Sequence, residues 1–202
     1  NPGGAALLLH GLTDSPYSLR HIARRYAAAG FAVVAIRLPG HGTVPAGLSD
    51  VRWEEWMAAT RLAVREAKRL GGQDAPLHLV GFSNGGALAV KYALDAMENP
   101  KLAPPDRLIL LSPMIGITRF ARLTGIAGLP AVLPSFAKAA WLSIAGRPGG
   151  PTSVVVMRAP YDTQHFRTMS TELTYRASQQ ERIAAVGATS ATLRIVYLRS
   201  AS

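Results

Sequence analysis

An α/β fold with a doubly wound, mostly parallel sheet is what this sequence predicts, on three observations. Short apolar runs recur at Ala5 to Leu9, Phe31 to Ile36, Leu77 to Val80 and within Asp106 to Pro113. Each is too unbroken for a strand with one wet face, so each reads as a strand buried on both faces. Segments of helical period separate the first three, and a strand, helix and strand within about thirty residues make a βαβ unit, which requires parallel pairing and a right-handed crossover. Repeating that unit builds an open sheet with helices on both sides, whose reactive groups gather at the carboxyl ends of the strands. His10, Ser83 and Ser112 fall at such ends.

Ala5 to Leu9 runs into His10-Gly11 and the turn Thr13-Asp14-Ser15-Pro16. Leu19, Ile22, Ala23, Tyr26 and Ala27 then repeat at helical spacing up to Gly30, and the run Phe31 to Ile36 follows at once. Leu38-Pro39-Gly40-His41-Gly42-Thr43-Val44-Pro45 has turn residues and no period, so it is a loop. A long helix is predicted over Val51 to Leu70. Asp50 is its expected N-cap, Glu54 and Glu55 suit its positive end, and Arg65, Lys68 and Arg69 suit its negative end. Trp53, Trp56, Met57, Thr60, Leu62 and Val64 form its apolar side, with both tryptophans read as core.

Leu77 to Val80 feeds Gly81-Phe82-Ser83-Asn84-Gly85-Gly86, and Ala87 to Met97 is helix-like. A G-x-S-x-G pentapeptide between a strand and a helix is the context of a nucleophile elbow. A serine there is forced into sparsely populated backbone space, and Gly81 and Gly85 let strand and helix approach closely. The turn lifts the hydroxyl clear of the sheet. It also aims the first helix amides, from Asn84 onward, at the place where an acyl oxygen would become negative.

Past the strand at Asp106 to Pro113 the pattern changes. Residues 114–190 are read as an apolar lid or cap insertion, most clearly between 114 and about 150, where Ile, Leu, Val, Phe and Trp lie among glycines and prolines. An ordinary helical insertion that only completes the packing stays open as the alternative. Thr171 to Val186 is a candidate helix, and 192–198 a core strand returning to the sheet.

At 202 residues the chain fits one domain with a sizeable core. It contains no cysteine, which excludes a thiol nucleophile, a Cys-based zinc site and disulfides, and leaves the compartment open. The formal charge is +10, but residues 119–202 hold ten of the 22 basic and only three of the 12 acidic side chains. The arginines there are scattered singly rather than run together with aromatics, so nucleic-acid binding is not expected, and weak attraction to anionic surfaces, including interfacial lipid contact, is. No apolar stretch has the length of a membrane span. No signal peptide is visible, and a chain beginning with Asn1 is expected to be a mature form or a piece of a longer one.

With these pieces in place, the sequence resembles the α/β-hydrolase superfamily, in its carboxylesterase, monoacylglycerol lipase and serine aminopeptidase-like branch. Three segments carry the resemblance: Leu7-Leu8-Leu9-His10-Gly11-Leu12-Thr13-Asp14-Ser15-Pro16, Arg37-Leu38-Pro39-Gly40-His41-Gly42 and Gly81-Phe82-Ser83-Asn84-Gly85-Gly86. It covers residues 5 to about 118. It implies Ser83 as nucleophile, the backbone amides of Leu12 and Asn84 as oxyanion hole, and His10 as a structural histidine holding its loop, with Gly11, Gly81 and Gly85 supporting. His41 would stabilise its own loop, and His21 and His78 would be structural or surface residues.

The implied chemistry is hydrolysis of a small-molecule ester with an apolar acyl chain, without metal or organic cofactor. An amidase or aminopeptidase on the same fold and a non-catalytic binding module are the alternatives. The superfamily places its acid and its histidine after later strands, in the chain order Ser, Asp or Glu, His. Downstream of Ser83 the histidine is His165, with Asp162 three residues before it. That spacing leaves no room for the helix and strand that would bring each to Ser83 from a separate loop, so the acid and base are expected beyond Ser202.

Overall fold

The computed structural model describes residues 2–114, 152–167 and 193–198. Among the described residues six strands form one sheet: β1 (Ala5–Leu9), β2 (Ala32–Ala35), β3 (Leu77–Phe82), β4 (Arg107–Leu111), β5 (Thr152–Arg158) and β6 (Leu193–Leu198). Three helices connect the first four strands: α1 (Arg20–Ala28), α2 (Trp53–Gly71) and α3 (Asn84–Glu98). The strand order is β2-β1-β3-β4-β5-β6. β2, β1, β3 and β4 run parallel, whereas β5 is antiparallel to β4 and β6 antiparallel to β5. This is the doubly wound, mostly parallel α/β sheet predicted from the apolar runs, and the α/β-hydrolase fold that the resemblance implied.

Burial on both sides explains why those runs do not alternate. Leu7, Leu9, Leu77, Leu79, Leu108 and Leu110 pack against α2 and α3, while Ala6, Leu8 and Val80 face Leu19 and the α1 residues Ile22, Ala23 and Tyr26. Each fully buried leucine contributes about 1.5–3 kcal/mol by leaving water. β2 is an edge strand and only half-buried.

α2 corrects three expectations. Its N-cap is Arg52, not Asp50: Arg52 is extended (φ −95, ψ 151), and its N–H donates to Glu55 Oε1 at 3.2 Å. A cap must stand directly before the first helical residue, and Asp50 lies two positions too early. Trp53 is 52% exposed and Leu62 56% exposed, so neither is core. The buried stripe is Met57, Thr60, Val64, Ala67 and Gly71, spaced three or four apart, and Leu62 falls two residues off it. Trp53 opens the helix one turn ahead of that stripe. Trp56 does pack on the core, and its indole N–H donates to Pro39 O at 3.0 Å.

β5 was not anticipated. It lies inside the segment 114–190 read as an insertion and puts seven of those residues into the sheet. The run Val154-Val155-Val156-Met157 has the β-branched content of a strand, but it follows a Gly- and Pro-rich stretch that reads as loop. The strand expected at 192–198 is present as β6. Residues 115–151 and 168–190 of the expected lid, with the candidate helix Thr171 to Val186, fall outside the described residues.

Candidate active site

The site is built where β1, β3 and β4 end together. Register places Leu9 beside Gly81, and Phe82 beside Leu111. Ser83 follows with φ 51 and ψ −113, a conformation that a residue with a Cβ holds at a cost of about 1–3 kcal/mol. Hydrogen bonds hold it there. The Ser83 N–H donates to Leu111 O at 3.0 Å, and Ser83 O accepts from Gly86 N (2.9 Å), Ala87 N (3.2 Å) and Met114 N (3.1 Å). Ser112, directly after β4, is the other non-glycine residue with positive φ among the described residues, at 42°.

The close approach requires glycine at two positions. A Cβ on Gly81 would stand 2.6 Å from Gly86 Cα, and one on Gly85 would stand 2.7 Å from His10 O and collide with Leu9 O. The first turn of α3 therefore presses directly on β3 and on the end of β1. Asn84 opens α3, so its N–H has no carbonyl four residues back within the helix. Gly11 runs alongside: a Cβ built on it would be 3.5 Å from Ser83 Cβ and 3.1 Å from the Phe82 ring. The loop carrying Leu12 thus passes next to Ser83, whose side is half-open. Thr13, Asp14 and Ser15 face Gly40, His41 and Thr43 across a groove of about 360 Å³.

His10 is fully buried and both its ring nitrogens are used. Nε2 accepts the Leu38 N–H at 3.1 Å, so the proton sits on Nδ1, which donates to Gly11 O at 2.8 Å. It ties the loop after β1 to the loop after β2 and has no lone pair left for a base. His41 packs edge-on against it, with ring centroids 4.8 Å apart. His41 Nδ1 lies 2.9 Å from Pro39 O, which also accepts from Trp56, while Nε2 is buried with no partner among the described residues. His78 is buried on β3 with Nδ1 3.1 Å from Tyr26 Oη, and His21 is exposed.

Burial holds the His10 imidazole below its ordinary range, opposed by its bond to Gly11 O and reinforced by His41. Burial, then Arg107, does the same to His78. Both are neutral in the folded protein and protonate more readily once unfolded. Their contribution to stability is complete above about pH 6.5 and is lost as pH falls through the lowered folded values. Urea midpoints measured from pH 7.5 down to 5 should fall, with a slope of up to about 1.4 kcal/mol per pH unit for each histidine. His78→Gln should reduce that slope, and a flat profile would refute the assignment.

Asp162 and His165 lie elsewhere. β5 runs antiparallel, so Arg158 at its end faces Arg107 at the start of β4. Ala159 N–H donates to Asp106 O at 2.9 Å and Tyr161 Oη to Pro105 O at 2.7 Å. This is the amino edge of the parallel strands, opposite to Ser83. At about 3.3 Å per residue, the length of β4 puts more than 10 Å between the two ends. Asp162 Oδ1 accepts the His165 N–H at 3.0 Å, which caps the helical turn at 163–167.

The side chain of Asn84 was not singled out by sequence. It is 6% exposed, and its Nδ2 has no hydrogen-bond partner among the described residues. No sequence signal marks it, because G-x-S-x-G leaves that position free. Among the described residues no group of three or more His, Asp or Glu could hold a metal ion, and no helix is long and apolar enough to cross a membrane.

A sequence profile described as "Serine aminopeptidase, S33" matches residues 1–194. The thermostable monoacylglycerol lipase of Bacillus sp. (strain H-257) is 33% identical over 129 residues, 64% of this chain and 48% of that protein. The magnesium-chelatase 30 kDa subunit of Rhodobacter capsulatus is 28% identical over 138 residues, 65% of this chain and 45% of that protein. The chain thus spans about half the length of the curated relatives it matches. Among solved structures, one from work on LipS and LipT, two metagenome-derived lipolytic enzymes, has a TM-score of 0.44 at 36% identity, covering 49% of this chain and 40% of that one. MenH from S. aureus has 0.48 at 24% identity, covering 72% of this chain and 49% of that one.

Proposed function

The chain belongs to the serine aminopeptidase family of α/β-hydrolases, and from that premise we propose that the protein is a serine hydrolase cleaving carboxylic esters with apolar acyl chains. The observation that carries this reading is Ser83, held at φ 51 between β3 and α3. An idle serine in a strand-to-helix turn has no reason to bear that strain.

In the proposed reaction Ser83 Oγ adds to the ester carbonyl carbon and gives up its proton to a general base. The carbonyl oxygen, now negative, is held by the N–H groups of Leu12 and Asn84. The tetrahedral species collapses, the bond to the alcohol oxygen breaks, and the alcohol leaves with a proton from the protonated base. Water then adds to the acyl-enzyme and releases the carboxylic acid. His10 is committed to two backbone groups and His165 belongs to the far edge, so the base and its carboxylate come from outside the described residues. His10, Gly11, Gly81 and Gly85 shape the site.

The kinship with a monoacylglycerol lipase favours esters. The family description favours amide cleavage by the same serine as the second reading. A fluorophosphonate probe is expected to form an adduct on Ser83, and a p-nitrophenyl octanoate should turn over faster than the matching anilide. Anilide turnover above ester turnover would establish the amidase reading. No adduct on the folded protein would leave a binding module.

A further inference from the structure

A second depression, of about 740 Å³, lies between α2 and α3, within the size range of small-molecule sites. Its lining includes Gln73 and Lys101 to Ala103, which precede β3 and β4, so it opens toward the amino edge of the sheet and away from Ser83. Leu102 is half-buried in its floor over the buried Val64 and Tyr92, and Leu62, which the core does not use, stands exposed in its wall. Four cations border it: Arg61, Arg65 and Lys68 at helical spacing on α2, and Lys101 across from them.

No carboxylate lines this groove. Arg61 pairs with Asp95 at 2.8 Å, but Asp95 also holds Lys91, so one negative charge serves two positive ones. Lys68 Nζ donates to Ala75 O at 2.6 Å, a neutral partner. Among the described residues the side chains of Arg65 and Lys101 make no hydrogen bond or ion pair. The Tyr92 hydroxyl donates to Ala103 O and burial pushes its pKa up to about 12, so it brings no negative charge. Uncompensated cations over an apolar floor match an anionic head on an apolar chain.

We propose that this groove binds a long-chain carboxylate, its head at Arg65 and Lys101 and its chain along Leu62 and Leu102. The ester cleavage proposed above rationalises the ligand as the acid released from the substrate, and only this identification of its source rests on that reading. Titration calorimetry with dodecanoate on Ser83→Ala protein at low salt is expected to show saturable binding. Affinity should fall at least tenfold in Arg65→Glu/Lys101→Glu and in Arg65→Gln/Lys101→Gln, with urea midpoints confirming that both variants fold. Dodecanol, with the same chain and no charge, and acetate, with the head alone, should each bind at least tenfold more weakly. Undiminished dodecanoate binding in both double variants, equal binding of dodecanol, or no saturable binding below about 1 mM would overturn the proposal. Fluorophosphonate labelling is read separately: an adduct on Ser83 with no dodecanoate binding overturns the groove alone.

Discussion

Ser83→Gly is expected to abolish fluorophosphonate labelling and ester turnover while stabilising the protein by about 1 kcal/mol. Ser83 pairs φ 51 with ψ −113, a region glycine enters freely and a residue with a Cβ enters at a cost of about 1–3 kcal/mol. Glycine returns part of that gain, about 0.5–1 kcal/mol, through the greater freedom of the unfolded chain. Ser83→Ala separates strain from chemistry. Alanine keeps the Cβ, so stability should stay close to that of the parent, while turnover should fall by about 10⁴-fold or more, the scale on which loss of a serine nucleophile acts. Urea midpoints and initial rates on one preparation read both effects. A glycine variant no more stable than the alanine variant would mean the turn holds no strain, and undiminished turnover in either would remove Ser83 from the chemistry.

Gly85→Ala should be among the most damaging single-methyl additions, destabilising by more than about 3 kcal/mol. The new Cβ would collide with Leu9 O and lie 2.7 Å from His10 O. These are backbone atoms at the end of β1, with no flexible side chain to swing aside. Relief requires α3 to back away from the sheet, which moves the Asn84 amide and loosens the loop carrying Leu12, so labelling of Ser83 should fall as well. Gly3→Ala is the control: its Cβ would sit 3.7 Å from the nearest atom, Gly30 O, and should change stability by less than about 0.5 kcal/mol. A urea midpoint for Gly85→Ala matching that of Gly3→Ala would refute the close packing at the elbow.

Much of this geometry was legible in advance because it depends on local chemistry. Unbroken apolar runs such as Ala5–Leu9 are what a strand covered on both faces needs, and β1 matches that run residue for residue. Gly81 and Gly85 flank Ser83 because only they let strand and helix meet, so the elbow was visible as a spacing. The order of α1 and β2 after β1 followed from period alone. The start of α2 did not: Asp50 is the expected cap, but the helix begins at Trp53 and its N-cap is Arg52.

What sequence by itself determined is the parallel sheet and the corner that bears Ser83, since each follows from local pattern: unbroken apolar runs joined by helical segments, and glycines two residues either side of the serine. Tertiary structure alone decided that Trp53 and Leu62 face solvent, that His10 spends both nitrogens on backbone, and that Asp162 and His165 belong to the opposite edge of the sheet. The physical reason is direction. Periodicity reports which faces are buried, but whether 152–158 runs parallel or antiparallel to β4 depends on pairing between distant segments, and that choice places Asp162 and His165 at the edge of the sheet far from Ser83.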